Sequence, residues 1–100
     1  RYKGVANSTC GDRGIPRSIW YYDWVTAPEE PSCTAGGFVP MIWGHAGNEQ
    51  TASWIANTIN SFVSSGRKYV LGFNEPDNAT QSNITVASAI SLWPSFAGNP

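Results

Sequence analysis

Charged side chains are scarce in this chain, at 13% of its 100 residues, and the formal net charge is only −1. Without an excess of Lys and Arg there is no basic patch to meet phosphates, which argues against a nucleic-acid partner. No apolar run reaches the ~20 residues that a membrane-spanning helix needs, so we expect no membrane partner. No signal-peptide pattern appears at the start, and we expect any such segment to have been removed.

Several kinds of site are also missing from the sequence. It holds one histidine and two cysteines. No His/Cys/Asp spacing is typical of a metal site, no glycine-rich phosphate loop occurs, and no Ser-His-Asp set can be built around one His without an elbow motif. We therefore expect neither a metal nor an organic cofactor.

The two cysteines and three glycosylation sequons indicate an oxidising compartment. A disulfide between Cys10 and Cys33 would close a loop of about 20 residues and contribute ~3 kcal/mol in the chain-entropy model. Two free thiols, or pairing with cysteines of another chain, are the alternatives. The sequons begin at Asn7, Asn78 and Asn83. Together these features predict a secreted protein, extracellular or in a cell wall.

Aromatic residues are abundant, with five Trp and four Tyr. Ser, Thr, Asn and Gly are also frequent, so the surface is polar but largely uncharged. This composition suits a carbohydrate-handling protein, because sugar rings stack on aromatic faces and sugar hydroxyls pair with amides. The alternative explanation is a bulky core, and several of these rings must belong to it.

Short runs of apolar and aromatic residues predict four strands, at residues 2–6, 19–24, 38–43 and 69–73. Pro40 lies inside the third run and predicts a missing ladder bond or a bulge there. Trp20, Tyr22 and Trp24 share one face of the second strand, and Tyr21 and Asp23 share the other. The sequence leaves open which face points to the interior.

Two helices complete the pattern. The first has Thr51 or Asn48 as its cap and ends at Gly66, where a left-handed residue belongs. Thr85 caps the second, which Pro94 halts. The apolar stripe of the first helix consists of Trp54, Ile55, Ile59, Phe62 and Val63.

The order strand, strand, strand, helix, strand, helix predicts an α/β fold with parallel strands. Such a sheet needs cover on both faces, and two helices are too few. A typical eight-stranded α/β barrel takes ~250 residues. We therefore expect residues 1–100 to be the amino-terminal half, about four strands, of a single (β/α)8 barrel domain.

The most informative segment is the fourth strand with its exit, YVLGF followed by Asn74, Glu75, Pro76 and Asp77. A carboxylate at the carboxyl end of a buried strand is placed as in parallel α/β enzymes. Asn74 can donate a hydrogen bond to a sugar hydroxyl, and Glu75 can protonate a leaving oxygen. The alternative is a polar turn in which Glu75 is merely solvated.

Four motifs in this order resemble glycoside hydrolase family 128, a family of fungal and bacterial β-1,3-glucanases with an Asl1-like catalytic domain. The motifs are KGVA at residues 3–6, WYYDW at 20–24, FVPMIWG at 38–44 and LGFNEPD at 71–77, followed by QSNIT at 81–85. The resemblance runs from the first strand to Pro94 and covers nearly the whole chain.

The resemblance implies a (β/α)8 barrel that hydrolyses β-1,3-glucan with retention. Glu75 takes the position of the acid/base glutamate after the fourth strand. The family's nucleophile, a second glutamate after the seventh strand, has no counterpart here, so the carboxyl-terminal half of the barrel is the expected partner. We interpret Glu29 and Glu30 as solvated loop charges, and Glu49 as support for a helix start.

Further substrate contacts are expected at the mouth of such a barrel. Trp43 beside Gly44 is a candidate platform for a sugar ring, and His45 follows it. Tyr22 and Trp24 near the end of the second strand are candidates too, with Asp23 standing where the family commonly has Asn. The segment between the first two strands is short, so the family's first helix is reduced or lost.

Two rival interpretations remain. One is a non-catalytic β-glucan-binding or defence protein on the same scaffold. The other is a self-complementing assembly, in which two copies pair their open sheet edges into a barrel. A second carboxylate across from Glu75 would favour the enzyme.

Overall fold

A parallel sheet forms the first layer of the protein. The computed structural model describes residues 3–6, 18–28 and 37–98. The sheet has three strands in the order β1-β2-β3, and both neighbouring pairs run parallel. The strands are β1 (Lys3–Ala6), β2 (Ser18–Tyr22) and β3 (Gly37–Phe38). The predicted α/β class, with parallel strands and helices, is confirmed.

Strand β1 owes its close packing on β2 to Gly4. Gly4 lies opposite Trp20 in the parallel register. A Cβ atom on Gly4 would overlap the indole ring of Trp20. Only glycine lets the ring lie across the neighbouring strand, so this pair fixes how the first two strands fit together.

The third strand is shorter than the predicted 38–43. The chain stays extended after β3, with Val39 N donating to Tyr21 O at 2.8 Å. Pro40 has no backbone N–H, so the ladder between residues 38–43 and the fourth segment, residues 69–73, lacks a donor at this position. That ladder resumes where Ile42 N donates to Leu71 O at 3.0 Å. The missing ladder bond expected at Pro40 is confirmed. The pairing with β2 becomes irregular on the other edge, where Met41 N donates to Val25 O at 3.0 Å after Val39 has donated to Tyr21, and β3 is therefore short.

The predicted fourth strand, 69–73, is reduced to one parallel bridge between Met41 and Leu71. Leu71 N donates to Pro40 O at 2.9 Å, and Leu71 O accepts from Ile42. Among the described residues this segment pairs along one edge only, so little regular ladder can form. Its position beside the third segment nevertheless agrees with the predicted strand order.

Helix α1 (Ala52–Ser64) packs on the third and fourth segments, around Ile42, Val70 and Phe73. Its Ile55 and Ile59 join Ile42 in the buried core. Trp54 and Phe62 pack against this core while partly exposed. Val63, predicted on the same stripe, is 66% exposed, because it lies in the last turn just past Phe62.

The bounds of both helices agree with the sequence, but the predicted side-chain cap of α1 is not formed. Thr51 precedes α1 without a side-chain cap bond, and Gly66 beyond it has the left-handed φ of 78°. Helix α2 (Val86–Leu92) begins at Thr85, whose side chain accepts a hydrogen bond from Ser88 N.

Two short 3-10 helices, Asn48–Gln50 and Trp93–Ala97, flank these elements. Pro94 lies in the first turn of the second one, where its missing N–H costs nothing. Phe73, Trp93 and Phe96 form an aromatic cluster in which Trp93 and Phe96 stack at 4.7 Å. The cluster anchors the end of the described chain against the fourth segment.

Some predictions lie outside the described residues. They concern the sequon at Asn7, the pairing of Cys10 with Cys33, and the loop charges Glu29 and Glu30. Within the described ranges, no helix has the length and apolar character to cross a membrane.

Candidate active site

The carboxyl ends of the third and fourth segments meet at Trp43 and Asn74. Asn74 N donates to Trp43 O at 2.9 Å. The predicted catalytic residue, Glu75, comes directly after this bond and is exposed. It therefore stands at the end of the parallel segments where α/β barrel enzymes carry their catalytic groups.

A tight turn presents the Glu75 side chain. The residue has a left-handed φ of 41°, a conformation that costs a non-glycine residue roughly 1–2 kcal/mol. Asn78 N donates to Glu75 O at 3.0 Å and closes the turn. The Asn78 side-chain amide also donates to Glu75 Oε2 at 3.0 Å. The turn thus fixes both the backbone and the carboxylate of Glu75.

Asn74 is held from two sides. Its Nδ2 donates to Gln81 Oε1 at 2.9 Å. Its carbonyl oxygen accepts from Ser82 Oγ at 2.7 Å, and Ser82 is only 2% exposed. The loop that follows Glu75 therefore folds back and orients the residue before it.

Trp43 and His45 form a stacked pair, with ring centroids 4.0 Å apart and planes inclined by 19°. Glu49 holds the loop between them. Its Oε2 accepts from Gly44 N at 3.0 Å and from His45 N at 2.9 Å, and lies 3.0 Å from His45 Nδ1. The two successive N–H groups beside Gly44, whose φ is 90°, form a nest that suits a carboxylate.

This arrangement corrects the expected role of Glu49. The residue does lie in the first turn of the 3-10 helix before α1, as predicted. Its carboxylate, however, reaches back to the Trp43–His45 loop, because two converging backbone donors bind it better than a short helix dipole does. Glu49 is therefore a structural support of the candidate platform.

Gln50 connects the loops after the third and fourth segments. Its Nε2 donates to Gly44 O at 2.9 Å and to Ser82 O at 2.8 Å. Since Ser82 also binds Asn74, one continuous set of hydrogen bonds runs from the Trp43–His45 loop to the residue before Glu75.

The aromatic row of β2 lies on the less buried face of that strand. Tyr22 stacks with Trp20 at 6.4 Å and meets Trp24 edge-on at 5.0 Å. Tyr21 and Asp23, on the other face, are 2% and 3% exposed. The strand ends at Tyr22, earlier than predicted, because Trp24 has a left-handed φ of 60°. That backbone turns Trp24 outward, where it is 40% exposed.

The structure thus sorts the predicted site residues into sets. Trp43, His45, Asn74 and Glu75 form one connected set, and Tyr22 with Trp24 forms another. Asp23 is buried apart from both solvent-facing sets. Sequence reasoning missed the supporting residues Glu49, Gln50, Asn78, Gln81 and Ser82. The four-residue spacing of His45 and Glu49 was the one local signal available.

An apolar groove of about 700 Å³ lies at the opposite end of the sheet, and Trp20, Phe38 and Tyr69 are among its lining residues. The lining comes from β2, from the start of the third segment and from residues 66–71, and does not include Glu75. In the described parts of the chain, no group of three or more His, Cys, Asp or Glu side chains could hold a metal ion.

Comparisons with known proteins agree on one family. The family model of the glycosyl hydrolase catalytic core matches residues 5–98. No curated protein sequence matches the chain significantly.

Several solved structures share the fold. An endo-β-1,3-glucanase of glycoside hydrolase family 128, subgroup I, from Amycolatopsis mediterranei in complex with laminaritriose has a TM-score of 0.64 and 32% identity, over 96% of this chain and 38% of its own. A subgroup III curdlan-specific exo-β-1,3-glucanase from Blastomyces gilchristii in complex with glucose has a TM-score of 0.72 and 26% identity. The match covers 93% of this chain and 39% of that enzyme. A subgroup II endo-β-1,3-glucanase from Sorangium cellulosum has a TM-score of 0.67 and 29% identity, and the match covers 96% of this chain and 39% of that enzyme.

This chain spans less than two-fifths of the length of these relatives, at 38–39%. Within that span the match covers the parallel segments, both helices and the turn that carries Glu75. The resemblance to glycoside hydrolase family 128 is confirmed, and the chain belongs to the glycosyl hydrolase catalytic core family.

Proposed function

We propose that this chain is the amino-terminal part of a (β/α)8 barrel that hydrolyses β-1,3-glucan as a retaining endo-glucanase. The parallel order of the extended segments and the family match support the barrel. The relatives named above include endo-glucanases in two subgroups, one of them in complex with laminaritriose. The carboxyl-terminal half of the barrel, as a second chain or further sequence, would complete the protein.

The observation that carries the proposal is the position of Glu75. Its carboxylate is solvent-accessible, follows the last parallel segment, and stands next to the Asn74–Trp43 hydrogen bond. A glutamate presented in this way can reach a glycosidic oxygen of a chain lying across the strand ends. Its strained φ of 41° is the kind of backbone feature that persists at functional sites.

Glu75 acts as the acid/base in this proposal. In the first step its carboxyl proton moves to the glycosidic oxygen as the bond from that oxygen to the anomeric carbon breaks and the nucleophile carboxylate bonds to that carbon. In the second step the Glu75 carboxylate takes a proton from water, whose oxygen attacks the anomeric carbon and displaces the nucleophile carboxylate. The aglycone leaves as a neutral alcohol, and the enzyme returns to its starting protonation state.

The nucleophile comes from the remainder of the barrel. Besides Glu75, the described carboxylates are Asp23, Glu49 and Asp77. Asp23 is buried, Glu49 binds the Gly44–His45 backbone, and Asp77 belongs to the same turn as Glu75. Retention requires a second carboxylate ~5–5.5 Å from Glu75, and a glutamate after the seventh strand would supply it.

Aromatic side chains after the third segment and at the end of β2 provide the sugar contacts in this proposal. The stacked Trp43–His45 pair, braced by Glu49, offers a ring face beside the acid/base. Trp24, turned outward and 40% exposed, offers a second one, with Tyr22 behind it. Asn74 links the Trp43 backbone to Glu75, and Asp23 is buried at the end of β2.

We also propose that the protein is secreted, to the extracellular space or a cell wall. The cysteine pair and the sequons motivate this location. Asn83 is the expected glycan carrier, because its side chain is exposed and it lies farther along the chain from Glu75 than Asn78 does. Peptide mapping of the natural protein tests this, and a bare Asn83 with a fully occupied Asn7 would overturn it.

Hydrolysis of a laminarin-type glucan by the complete protein tests the main proposal. Turnover with release of oligosaccharides, lost in Glu75→Gln, is the expected result. Binding of the glucan without turnover by the wild-type protein would instead establish a non-catalytic glucan-binding or defence protein. Turnover by a dimer of this chain alone would establish the self-complementing assembly.

A further inference from the structure

The sequon that begins at Asn78 lies in direct contact with Glu75. Asn78 Nδ2 donates to Glu75 Oε2 at 3.0 Å. The backbone N–H of the same residue donates to Glu75 O at 3.0 Å. One asparagine therefore closes the turn and also binds the carboxylate that the turn presents.

Thr80 fixes which way the Asn78 amide points. Thr80 N donates to Asn78 Oδ1 at 3.0 Å, and Thr80 Oγ1 donates to the same oxygen at 2.9 Å. A flipped amide would set its NH2 group against these two donors. The Oδ1 end is thus committed to Thr80, and the Nδ2 end faces Glu75.

We propose that Asn78 and Thr80 are positioning residues for the Glu75 carboxyl group, a role that rests on the function proposed above. The Asn78 bond occupies Oε2 and limits rotation of the carboxyl group, so Oε1 is the oxygen that carries the transferable proton. As the glycosidic bond breaks, that proton passes from Oε1 to the leaving oxygen. The negative charge then left on Glu75 is stabilised by Asn78, since a charge-assisted hydrogen bond is stronger than a neutral one.

The same geometry conflicts with a glycan on Asn78. Glycosylation would attach the sugar to Nδ2, the atom that donates to Glu75. The glycan would also project over the carboxylate that must reach the substrate. The Asn-x-Thr pattern here accordingly serves the turn, with the asparagine and the threonine both used inside the protein.

Leaving-group dependence separates positioning of the acid from a general loss of structure. The experiment measures kcat/KM of the complete protein on unactivated laminari-oligosaccharides and on a dinitrophenyl β-laminarioligoside. The second substrate needs no proton from Glu75 to leave, and kcat/KM reports the first irreversible step. Asn78→Asp preserves shape and replaces the donor with an acceptor. Thr80→Val removes one donor to Oδ1, and Thr80→Ser keeps both.

We expect Asn78→Asp to lower kcat/KM on laminari-oligosaccharides by about 10-fold while leaving the dinitrophenyl substrate unchanged. Thr80→Val should follow the same pattern more weakly, and Thr80→Ser should match the wild type. Asn83→Asp is the matched control, because it makes the same exchange at an exposed sequon in the next part of the loop, and both activities should stay unchanged.

Equal losses on both substrates, or no loss on either, would overturn the positioning role. A fully glycosylated Asn78 in active protein secreted by a eukaryotic host would overturn it as well. A wild-type protein that cleaves neither substrate would refute the proposed function itself. Wild-type turnover with an unaffected Asn78→Asp variant would refute this inference alone.

Discussion

Gln50 and Ser82 lie 32 residues apart in the chain, yet the Gln50 side-chain amide donates to the Ser82 carbonyl oxygen at 2.8 Å. The same Nε2 donates to Gly44 O at 2.9 Å. Because Ser82 in turn binds Asn74, this one amide couples the Trp43–His45 platform to the segment that carries Glu75. The stability of the candidate site should therefore depend on Gln50.

Gln50→Glu should destabilise the complete protein by about 2 kcal/mol, the sum of two typical hydrogen bonds. The variant keeps the shape of the side chain but aims a carboxylate oxygen at two carbonyl oxygens. Urea unfolding at neutral pH measures the change. Asn57→Asp, an equivalent exchange at an exposed position of α1, is the control and should shift the midpoint far less. Equal stabilities for the two variants would argue against a coupling role.

Glu75→Gln should abolish hydrolysis of an unactivated glucan and leave glucan binding largely intact. The amide preserves the size of the side chain and removes the transferable proton. Reducing-sugar release and binding by isothermal titration measure the two properties on the complete protein. Retention of more than about a tenth of wild-type turnover would contradict the acid/base assignment, since general acid–base catalysis typically contributes 10²–10⁴-fold.

Gly4→Ala should cost about 1–3 kcal/mol, the usual range for overpacking. The new Cβ would overlap the Trp20 ring, and β1 would have to move away from β2. Gly66→Ala is an informative comparison, because a Cβ there meets no atom within 4 Å and the cost of about 1 kcal/mol arises from φ alone. Thermal unfolding of both variants, with Trp fluorescence as the probe, should show this order. The reverse order would mean that the ring moves away freely.

When residues 1–100 are expressed alone, copies of this chain should associate with one another and show no glucanase activity. Several large apolar side chains are exposed, and such side chains favour association over a stable monomer. Activity is not expected because a retaining glycosidase needs two carboxylates at short range. Light scattering and a laminarin-type assay check the two statements. A monodisperse, active monomer would refute the half-barrel proposal and direct the search for a nucleophile to Asp23, Glu49 and Asp77. The exposed apolar residues are Trp24, Val63, Tyr69, Val86, Ile90 and Trp93.

Local patterns in the sequence determined much of the fold. The spacing of Ile55 and Ile59 predicts the buried face of α1, and Gly66 and Thr85 mark helix ends, because these signals depend on residues within a turn or two of one another. The abrupt end of an apolar run at Asn74 and Glu75 likewise predicts a polar group at the end of a parallel strand. Each of these features can be recognised from residues close together in the sequence, without the tertiary structure.

Only the tertiary structure decided how distant residues combine. The spacing of His45 and Glu49 is the only local hint that Glu49 binds the loop of Trp43 and His45, and nothing near Gln50 indicates its bond to Ser82, 32 residues away, because partners so far apart in sequence are chosen by packing. The burial of Asp23 and the outward turn of Trp24 follow from which face of β2 meets its neighbours, and alternation alone leaves both faces equivalent. The contact between Asn78 and Glu75 spans three residues, but it exists only because Glu75 adopts a left-handed backbone that its residue type disfavours.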